Sequence, residues 1–556
     1  MFISEILVGH TTGVQGIVLF ILLLPILSIV SSTLRFRAAS RTQGDNQAPP
    51  TIPYLLPLLF HAIPLAWNPF QFVTKALARY GWERPLRIRV GWLSMTIVSN
   101  PAHISAIFRS SKQLTSKPAT LFALQYLLGV STDVLPFYAA DNSGMASTPA
   151  KGSTVEHVDR IDFHQARTAQ KFLSSQHLAH LSTRYLETLE RYLNSLDVGG
   201  STPGEWVEYA DLFHFLQTNV APAVIETMMG SKLLEMSPNL IRDFWAFDSN
   251  LPKLMRCFPR WLIPAAFRAR DGLKDSIKAW HAYGNAQSDC SKIESEDPEW
   301  EPYLGSKLVR ARQNYSLKMA AMNDDSRAAE DLGLMMASNG NAVPCVFWFI
   351  YEALRNEALR QQLTIEASEC VRPDSTIDAA KLVTQPLLQS AYAEVLRLRV
   401  GIGMTRVSES EPFSLGGYQI PKGESCLIFS RHPAFNEEAW QAAGRPSAVT
   451  GAPLEEFHAD RFLVPKKDEE LGGLEFSLDG LAGLWLPYGG GQRMCPGRHF
   501  AKSEIISTFA LLTSRYDMEL MEGVAVEPDL RWFPVGALPP AGKLPFRMRR
   551  KGSKGA

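Results

Sequence analysis

No Cys-x-x-Cys pair occurs anywhere in this sequence. Its six cysteines, Cys257, Cys290, Cys345, Cys370, Cys426 and Cys495, are widely spaced over 556 residues. That spacing lacks the paired ligands of a structural zinc site, and so long a chain needs no disulfide framework. Free thiols in a reducing compartment are the simpler reading. An excess of either charge is also missing: 56 Lys and Arg balance 56 Asp and Glu. A nucleic-acid partner, which selects a basic surface, is therefore not expected. There is no internal repeat and no second domain with motifs of its own. What is present is 46% hydrophobic residues, enough for a large core.

Residues 13–30, GVQGIVLFILLLPILSIV, carry no charge. A run of about 18 apolar residues is long enough to span a bilayer as a helix. Pro25 would kink it, which membrane helices tolerate. No Lys or Arg precedes the run and no A-x-A site follows it, which weighs against a cleaved signal peptide. Arg35, Arg37 and Arg41 follow, so the positive-inside rule puts the bulk of the chain in the cytosol. Pro49, Pro50, Pro53, Pro57, Pro64 and Pro69 then favour an extended, semi-rigid spacer. The expected organisation is a membrane anchor at 1–32, a proline-rich linker at 33–69 and one domain at 70–556.

Within that domain, LRIRV at 86–90 and SMTIV at 94–98 flank Gly91-Trp92 and read as a β-hairpin. Asn100-Pro101 reads as an N-cap followed by the proline of a first helical turn. From about Asp162 the chain reads as mostly helical, with long helices expected over 172–196 and 348–371. Strand signals return only in short pieces, at 413–420 and 425–429. The pattern predicts a large, mainly α domain with small peripheral sheets.

Residues 485–505 read WLPYGGGQRMCPGRHFAKSEI. Glycines 489 to 491 let the backbone approach a flat ligand. Pro496 and Gly497 lead into a helical pattern from Arg498, so the Cys495 sulfur sits near a helix N-terminus. Unpaired N–H groups there favour a thiolate, and Arg493 adds positive charge. A catalytic thiol would need a base, and His499 is the local candidate. A nucleotide-binding loop would need G-x-G-x-x-G in a βαβ unit, and neither occurs here. A merely buried cysteine leaves the glycines and the arginine unexplained.

The run from Tyr488 through Gly491, Arg493 and Cys495 to Gly497 resembles the haem-binding signature of the cytochrome P450 family, with Tyr488 where phenylalanine is usual. The resemblance implies a cytochrome P450 fold, a large helical haem domain with small peripheral β-sheets, preceded by a transmembrane helix. It implies haem b with Cys495 as axial thiolate and Arg493 on a propionate.

Upstream, Glu394-x-x-Arg397 resembles the family's E-x-x-R motif, and FHADRF at 457–462 supplies Arg461 as its third member. Together they would form a buried charge network. Arg406, in GIGMTRVS, is a candidate for the second propionate; a strand-surface arginine is the alternative. Residues 400–405 and 535–538 should line the substrate pocket. The W-x-x-x-R element of an early helix is missing: RIDFHQAR, with Arg160, His164 and Arg167, holds no tryptophan.

The helix expected across the distal haem face reads LGLMMASNGNAVPCVFWF at 332–349. In the family an acid and a threonine there deliver protons for oxygen activation. Here Gly340 stands in the place of the acid and Asn341 in the place of threonine, after Ser338. Pro344 has no N–H for the Gly340 carbonyl, so a kink and a free carbonyl are expected. The pattern A-S-x-G-N-x-x-P-x-x-F-W resembles the branch containing sterol 7- and 12-hydroxylases and prostacyclin synthase, and the wording near Cys495 and after Leu530 resembles its fungal members. The implied function is oxygen- and NADPH-dependent oxidation of an apolar small molecule, a terpenoid or steroid-like intermediate of fungal secondary metabolism. The alternative is a haem-thiolate isomerase or dehydratase needing neither oxygen nor reductant. No stretch is left for a flavin or nicotinamide domain, so an NADPH–cytochrome reductase is the expected electron donor, with Arg493, Arg498 and Lys502 on its docking face. The expected location is the endoplasmic reticulum membrane, single-pass, with the catalytic domain cytosolic.

Overall fold

Alternating LRIRV and its partner strand form the hairpin β1 (Leu86–Val90) and β2 (Leu93–Ile97), turning at Gly91-Trp92 with Val90 opposite Leu93. The computed structural model describes residues 23–41, 47–196, 204–445, 450–466 and 473–552. These fall into two compact units. The first holds the residues up to Ser116, Gly403–Pro433 and Ala482–Leu484; the second holds Lys117–Ile402, Ala434–Leu481 and the residues from Trp485. The motifs gave no sign of this division, because the first unit is assembled from segments far apart in sequence.

In the first unit, β3 (Leu114–Thr115), β4 (Gly403–Ser408), the hairpin β5 (Phe413–Leu415) and β6 (Tyr418–Ile420), and β7 (Ser425–Phe429) follow in chain order. The main sheet runs β1-β2-β7-β4-β3, with β7 parallel to β2 and antiparallel to β4. Leu86, Ile88, Ile97 and Ile428 are buried on it. Asn100 caps the helix Pro101–Arg109, its side chain accepting from the amides of Ala102 and His103.

The proline-rich stretch, expected as a spacer, packs on β1. Ile52 N donates to Arg87 O at 2.9 Å, and Arg87 N donates to Pro50 O at 3.0 Å. Buried His61 accepts the Arg89 amide at Nδ1, 3.0 Å away, and its Nε2 donates to Ile52 O at 3.1 Å. Proline tolerates such an edge position because it needs no ladder donor there. Residues 23–41 are helical, so one helix runs across the boundary expected at 32/33. Residues 13–22 of the apolar run lie outside the described residues. Among the described residues no helix is long and apolar enough to cross a membrane.

The second unit is mainly helical. Its principal helices are α1 (Ile161–Phe172), α2 (Ser175–Asn194), α3 (Leu212–Met229), α4 (Leu240–Asp248), α5 (Pro264–Gln287), α6 (Asp324–Asn339), α7 (Ala342–Arg355), α8 (Pro386–Arg399) and α9 (Arg498–Arg515). Helix α9 packs on α7 and α2, burying Phe349, Phe509 and Leu512. Full burial of such a side chain contributes roughly 1.5–3 kcal/mol. The strands Val207–Tyr209, Phe546–Arg550 and Tyr516–Leu520 form a small antiparallel sheet.

Two helices read as continuous are divided. The run at 348–371 breaks at Asn356, whose Oδ1 accepts Leu359 N at 3.1 Å and starts a new helix, Glu357–Ser368. The run at 332–349 breaks at Gly340-Asn341, between α6 and α7. Pro344, inside the first turn of α7, offers no amide to the carbonyl of Gly340. Cys345 N reaches Asn341 O only at 3.4 Å.

Candidate active site

The cysteine loop is anchored at its entry by Trp485, whose Nε1 donates to Ala393 O of α8 at 3.0 Å. Gly489 and Gly491 adopt φ of 69° and 70°, the left-handed region that residues with side chains avoid. The loop closes through Cys495 N, which donates to Tyr488 O at 3.0 Å. Helix α9 begins at Arg498, with Gly497 as its N-cap. The backbone amides of Gly497 and Arg498 lie beside the Cys495 sulfur and favour its anion. Burial pushes that thiol above its ordinary value, while the two amides and the Arg498 charge pull it back. Bound metal deprotonates a coordinating thiol outright, and these donors are positioned for the resulting anion. Cys345 and Cys426 are buried, and desolvation pushes their thiols up, that of Cys426 to about 12.

Around the loop, the hydroxyls of Tyr488 and Tyr392 hydrogen-bond to each other. Burial raises both well above the ordinary tyrosine value, so both stay neutral. Arg493 Nη2 pairs with Asp162 Oδ2 of α1 at 3.1 Å. Arg498 Nη1 donates to Cys495 O at 3.1 Å. Arg160, at the N-terminus of α1, is fully buried and clamps the preceding loop through Ser143 Oγ at 3.0 Å and Ser147 O at 2.8 Å.

Glu394, Arg397 and Arg461 converge in one buried cluster. Glu394 accepts Arg397 Nε at 2.7 Å and Nη2 at 2.9 Å, Arg461 Nε at 2.9 Å and His458 N at 3.1 Å. Arg397 Nη1 donates to Ala434 O at 3.0 Å, and Arg461 Nη2 to Pro453 O at 2.8 Å. Burial alone would raise the Glu394 carboxyl, but the two guanidinium groups outweigh it and hold it below its ordinary value.

At the turn between α6 and α7, Ala337 and Asn341 are exposed four residues apart, on either side of buried Asn339 and Gly340. Asn341 Oδ1 accepts Ala537 N at 2.9 Å, which leaves Nδ2 as the outward donor. The segment it holds is also tied by Gly401 N to Gly536 O at 2.9 Å, Leu538 N to Arg399 O at 2.8 Å and Trp348 Nε1 to Leu538 O at 2.7 Å. A methyl at Gly536 would come within 2.2 Å of Asn341 Oδ1, so this approach requires glycine. Ser338 Oγ bonds back to Met335 O at 3.2 Å and accepts Asn339 Nδ2 at 3.0 Å. Gly340 N donates to Met336 O at 2.9 Å, and among the described residues no backbone amide donates to the Gly340 carbonyl. Against Gly340 lies Asp248, a buried carboxyl that motif reading missed. Its signal was available: it follows Leu240, Phe244 and Phe247 on the apolar stripe of α4.

Arg406 belongs to the first unit. It is buried on β4, with Nη1 donating to Thr405 O at 2.9 Å and its guanidinium 5.5 Å from the Phe108 ring centroid.

A sulfur flanked by two amide donors, at the end of a glycine loop free to meet a flat surface, fits a planar metal-bearing cofactor held through one thiolate. The second unit is thus the helical scaffold of a haem-thiolate protein. A family model described as Cytochrome P450 matches residues 152–546. The cytochrome P450 monooxygenase fsoE of Humicola fuscoatra is 32% identical over 541 residues, covering 92% of this chain and 90% of that one. The cytochrome P450 monooxygenase efuG of Hormonema carpetanum is 31% identical, covering 98% of each. Cholesterol 7-alpha-monooxygenase of Cricetulus griseus is more distant, 26% identical over 72% of this chain and 77% of its own. The chain belongs to the cytochrome P450 family. It is an oxidoreductase, a haem-thiolate monooxygenase whose cofactor is haem iron with a cysteine thiolate ligand.

Proposed function

We propose that this chain is a microsomal monooxygenase that uses oxygen and NADPH to oxidise an apolar small molecule, terpenoid or steroid-like, within fungal secondary metabolism. The observation that carries this reading is Cys495 with its two amide donors at the start of α9. Fungal monooxygenases and a cholesterol 7-alpha-monooxygenase among the relatives support the reaction and the substrate class. They also favour oxygen insertion over isomerisation.

In this reading Cys495 ligates the iron, with Gly491 and Gly497 allowing the close approach and Tyr488 closing the loop behind it. Arg493 is a propionate partner, exchanging Asp162 for the cofactor. The Glu394–Arg397–Arg461 cluster holds the chain around the loop. The bound haem, pushed by its thiolate, supplies oxygen–oxygen bond cleavage. At the α6–α7 break Gly340 would contribute a carbonyl acceptor, Asn341 an Nδ2 donor, and Ser338 shapes the same turn. The segment at 535–538, fixed by Asn341, borders the substrate. Electrons come from a separate NADPH–cytochrome reductase, which docks over Arg493 and Arg498. Lys502 is partly buried, and desolvation lowers its amine to about 8. It therefore contributes less to that face.

Attachment to the endoplasmic reticulum membrane is supported by exposed apolar side chains, Trp67 and Trp92 in the first unit and Trp261 and Leu262 in the second. The decisive measurement is the absorption of the reduced protein with carbon monoxide. The thiolate-haem band appears in the wild type and disappears in Cys495→Ala; an unchanged band in that variant overturns the assignment. Incubation with reductase and a panel of terpenoid intermediates, read by mass spectrometry, then tests the substrate class. Product formed without NADPH or oxygen overturns the monooxygenase reading.

A further inference from the structure

We propose that Asp248, at the end of α4, is the acid that holds and passes protons at the Gly340 turn, a task for which α6 and α7 carry no acid of their own at that turn. The proposal rests on the monooxygenase reading and deepens it.

The first support is the glycine. Gly340 has φ −62° and ψ −22°, ordinary right-handed helix that any residue adopts. Backbone geometry does not call for glycine there. A methyl placed on Gly340 would lie 2.7 Å from Asp248 Oδ1 and 3.0 Å from Met336 O. The Asp248 carboxyl therefore occupies the space that a side chain at position 340 would fill. The acid missing from one helix is matched by an acid arriving from another.

The second support is the state of that carboxyl. Asp248 is 4% exposed, and its Oδ1 has no hydrogen-bond partner among the described residues. Burial alone pushes it well above the ordinary carboxyl value, with no charged group contributing. The buried cations of the packed helix α5 are engaged elsewhere: Arg270 with Asp271, and Lys274 with Asp325 and Gly129 O. On α3, Glu226 pairs with Arg191. An unpaired buried carboxylate is costly, so burial favours the protonated acid, which has a proton to give.

The third support is its setting. Asn339 Oδ1, one residue earlier, is buried and also lacks a partner. The Gly340 carbonyl receives no backbone amide among the described residues. Three polar groups at one turn thus retain hydrogen-bonding capacity, an arrangement that selects ordered water. Monooxygenation takes up two electrons and two protons for each dioxygen, inserts one oxygen atom into the substrate and releases the other as water. NADPH supplies the electrons. Each proton leaves Asp248 for a water at the Gly340 carbonyl, that water passes a proton on, and the carboxylate is reprotonated from solvent. Asp248 acts through water and is a positioning residue.

The test uses the haem-loaded full chain with reductase, NADPH and oxygen. Asp248→Asn keeps the shape and removes the proton. The expected result is NADPH consumption slowed by roughly a hundredfold, a larger solvent deuterium isotope effect, and a higher share of hydrogen peroxide over water. Moving the acid in Asp248→Ala/Gly340→Asp should recover most of the loss, which a packing role would not. Thermal melts give a readout independent of turnover. The folded carboxyl lies above its unfolded value of 3.8, so wild-type stability falls as pH rises past that value, and Asp248→Asn removes this fall. If wild type lacks the thiolate-haem band, the monooxygenase reading fails first. If the band is present but Asp248→Asn matches wild type in isotope effect, peroxide share and pH slope, the role of Asp248 alone is overturned.

Discussion

Asn341 Oδ1 accepts the amide of Ala537 at 2.9 Å, joining the break between α6 and α7 to a segment near the C-terminus. Asn341 therefore uses its acceptor structurally, while among the described residues its Nδ2 donor has no hydrogen-bond partner. Asn341→Ala should lower stability by about 1 kcal/mol and raise peroxide release. Asn341→Asp retains the acceptor and removes the donor, so it should melt like wild type while still releasing more peroxide. Melting curves and peroxide assays on both variants separate the two functions of one side chain. Equal peroxide release in all three proteins would reduce Asn341 to a tether.

Tyr488 and Tyr392 form a second such pair, with hydroxyl bonded to hydroxyl beside the cysteine loop. Replacing either by phenylalanine leaves one buried hydroxyl without a partner, at roughly 1–3 kcal/mol. Replacing both leaves none. The double variant should therefore be closer to wild type than the sum of the singles, and a double-mutant cycle in denaturant should give a coupling of about 1 kcal/mol or more. Strict additivity would mean that the pair contributes nothing beyond packing.

These two pairs mark what the sequence could and could not reveal. The cysteine loop was legible because its information is local: left-handed glycines, a helix start and a cysteine within ten residues. The kink and the free carbonyl at Gly340 were legible for the same reason, through Pro344, although the full division into α6 and α7 was not. Tyr392 and Ala537 were not, because each meets its partner only through tertiary packing. Asp248 was hidden twice over. It lies on a different helix from Gly340, and although it falls on the apolar stripe of LIRDFWAFD, nothing local ties that stripe to the Gly340 turn. The proline-rich stretch misled in the opposite direction. Its composition favours extended chain, which is also the conformation that lies along a sheet edge.

The Glu394 cluster yields a prediction about asymmetry. Glu394 is the single anion between two buried guanidinium groups. Glu394→Gln leaves both cations without a counter-charge and should destabilise by about 3–5 kcal/mol, with loss of bound haem in the purified protein. Arg461→Lys still leaves Arg397 paired in bidentate fashion and should lose less. Haem content and melting temperature measured together test this. Equal losses in the two variants would show that hydrogen-bond count, rather than charge balance, governs the cluster.

Asp331 of α6 yields a pH prediction remote from the cysteine loop. Burial pushes its carboxyl up, but Arg312 at 2.9 Å and His281 at 2.8 Å outweigh this and hold it at about 2. Gln313 Nε2 also donates to it at 3.1 Å, and neighbouring Glu330 shares Arg312. The folded carboxyl thus lies below its unfolded value of 3.8. Its stabilisation is fully present above that value and disappears as pH falls toward 2. The shift corresponds to roughly 2 kcal/mol at neutral pH. Asp331→Asn should therefore melt well below wild type at pH 7, and the two curves should converge as pH drops from about 4 to about 2. A difference that stayed constant across that window would show that the carboxylate charge is not what stabilises α6 here.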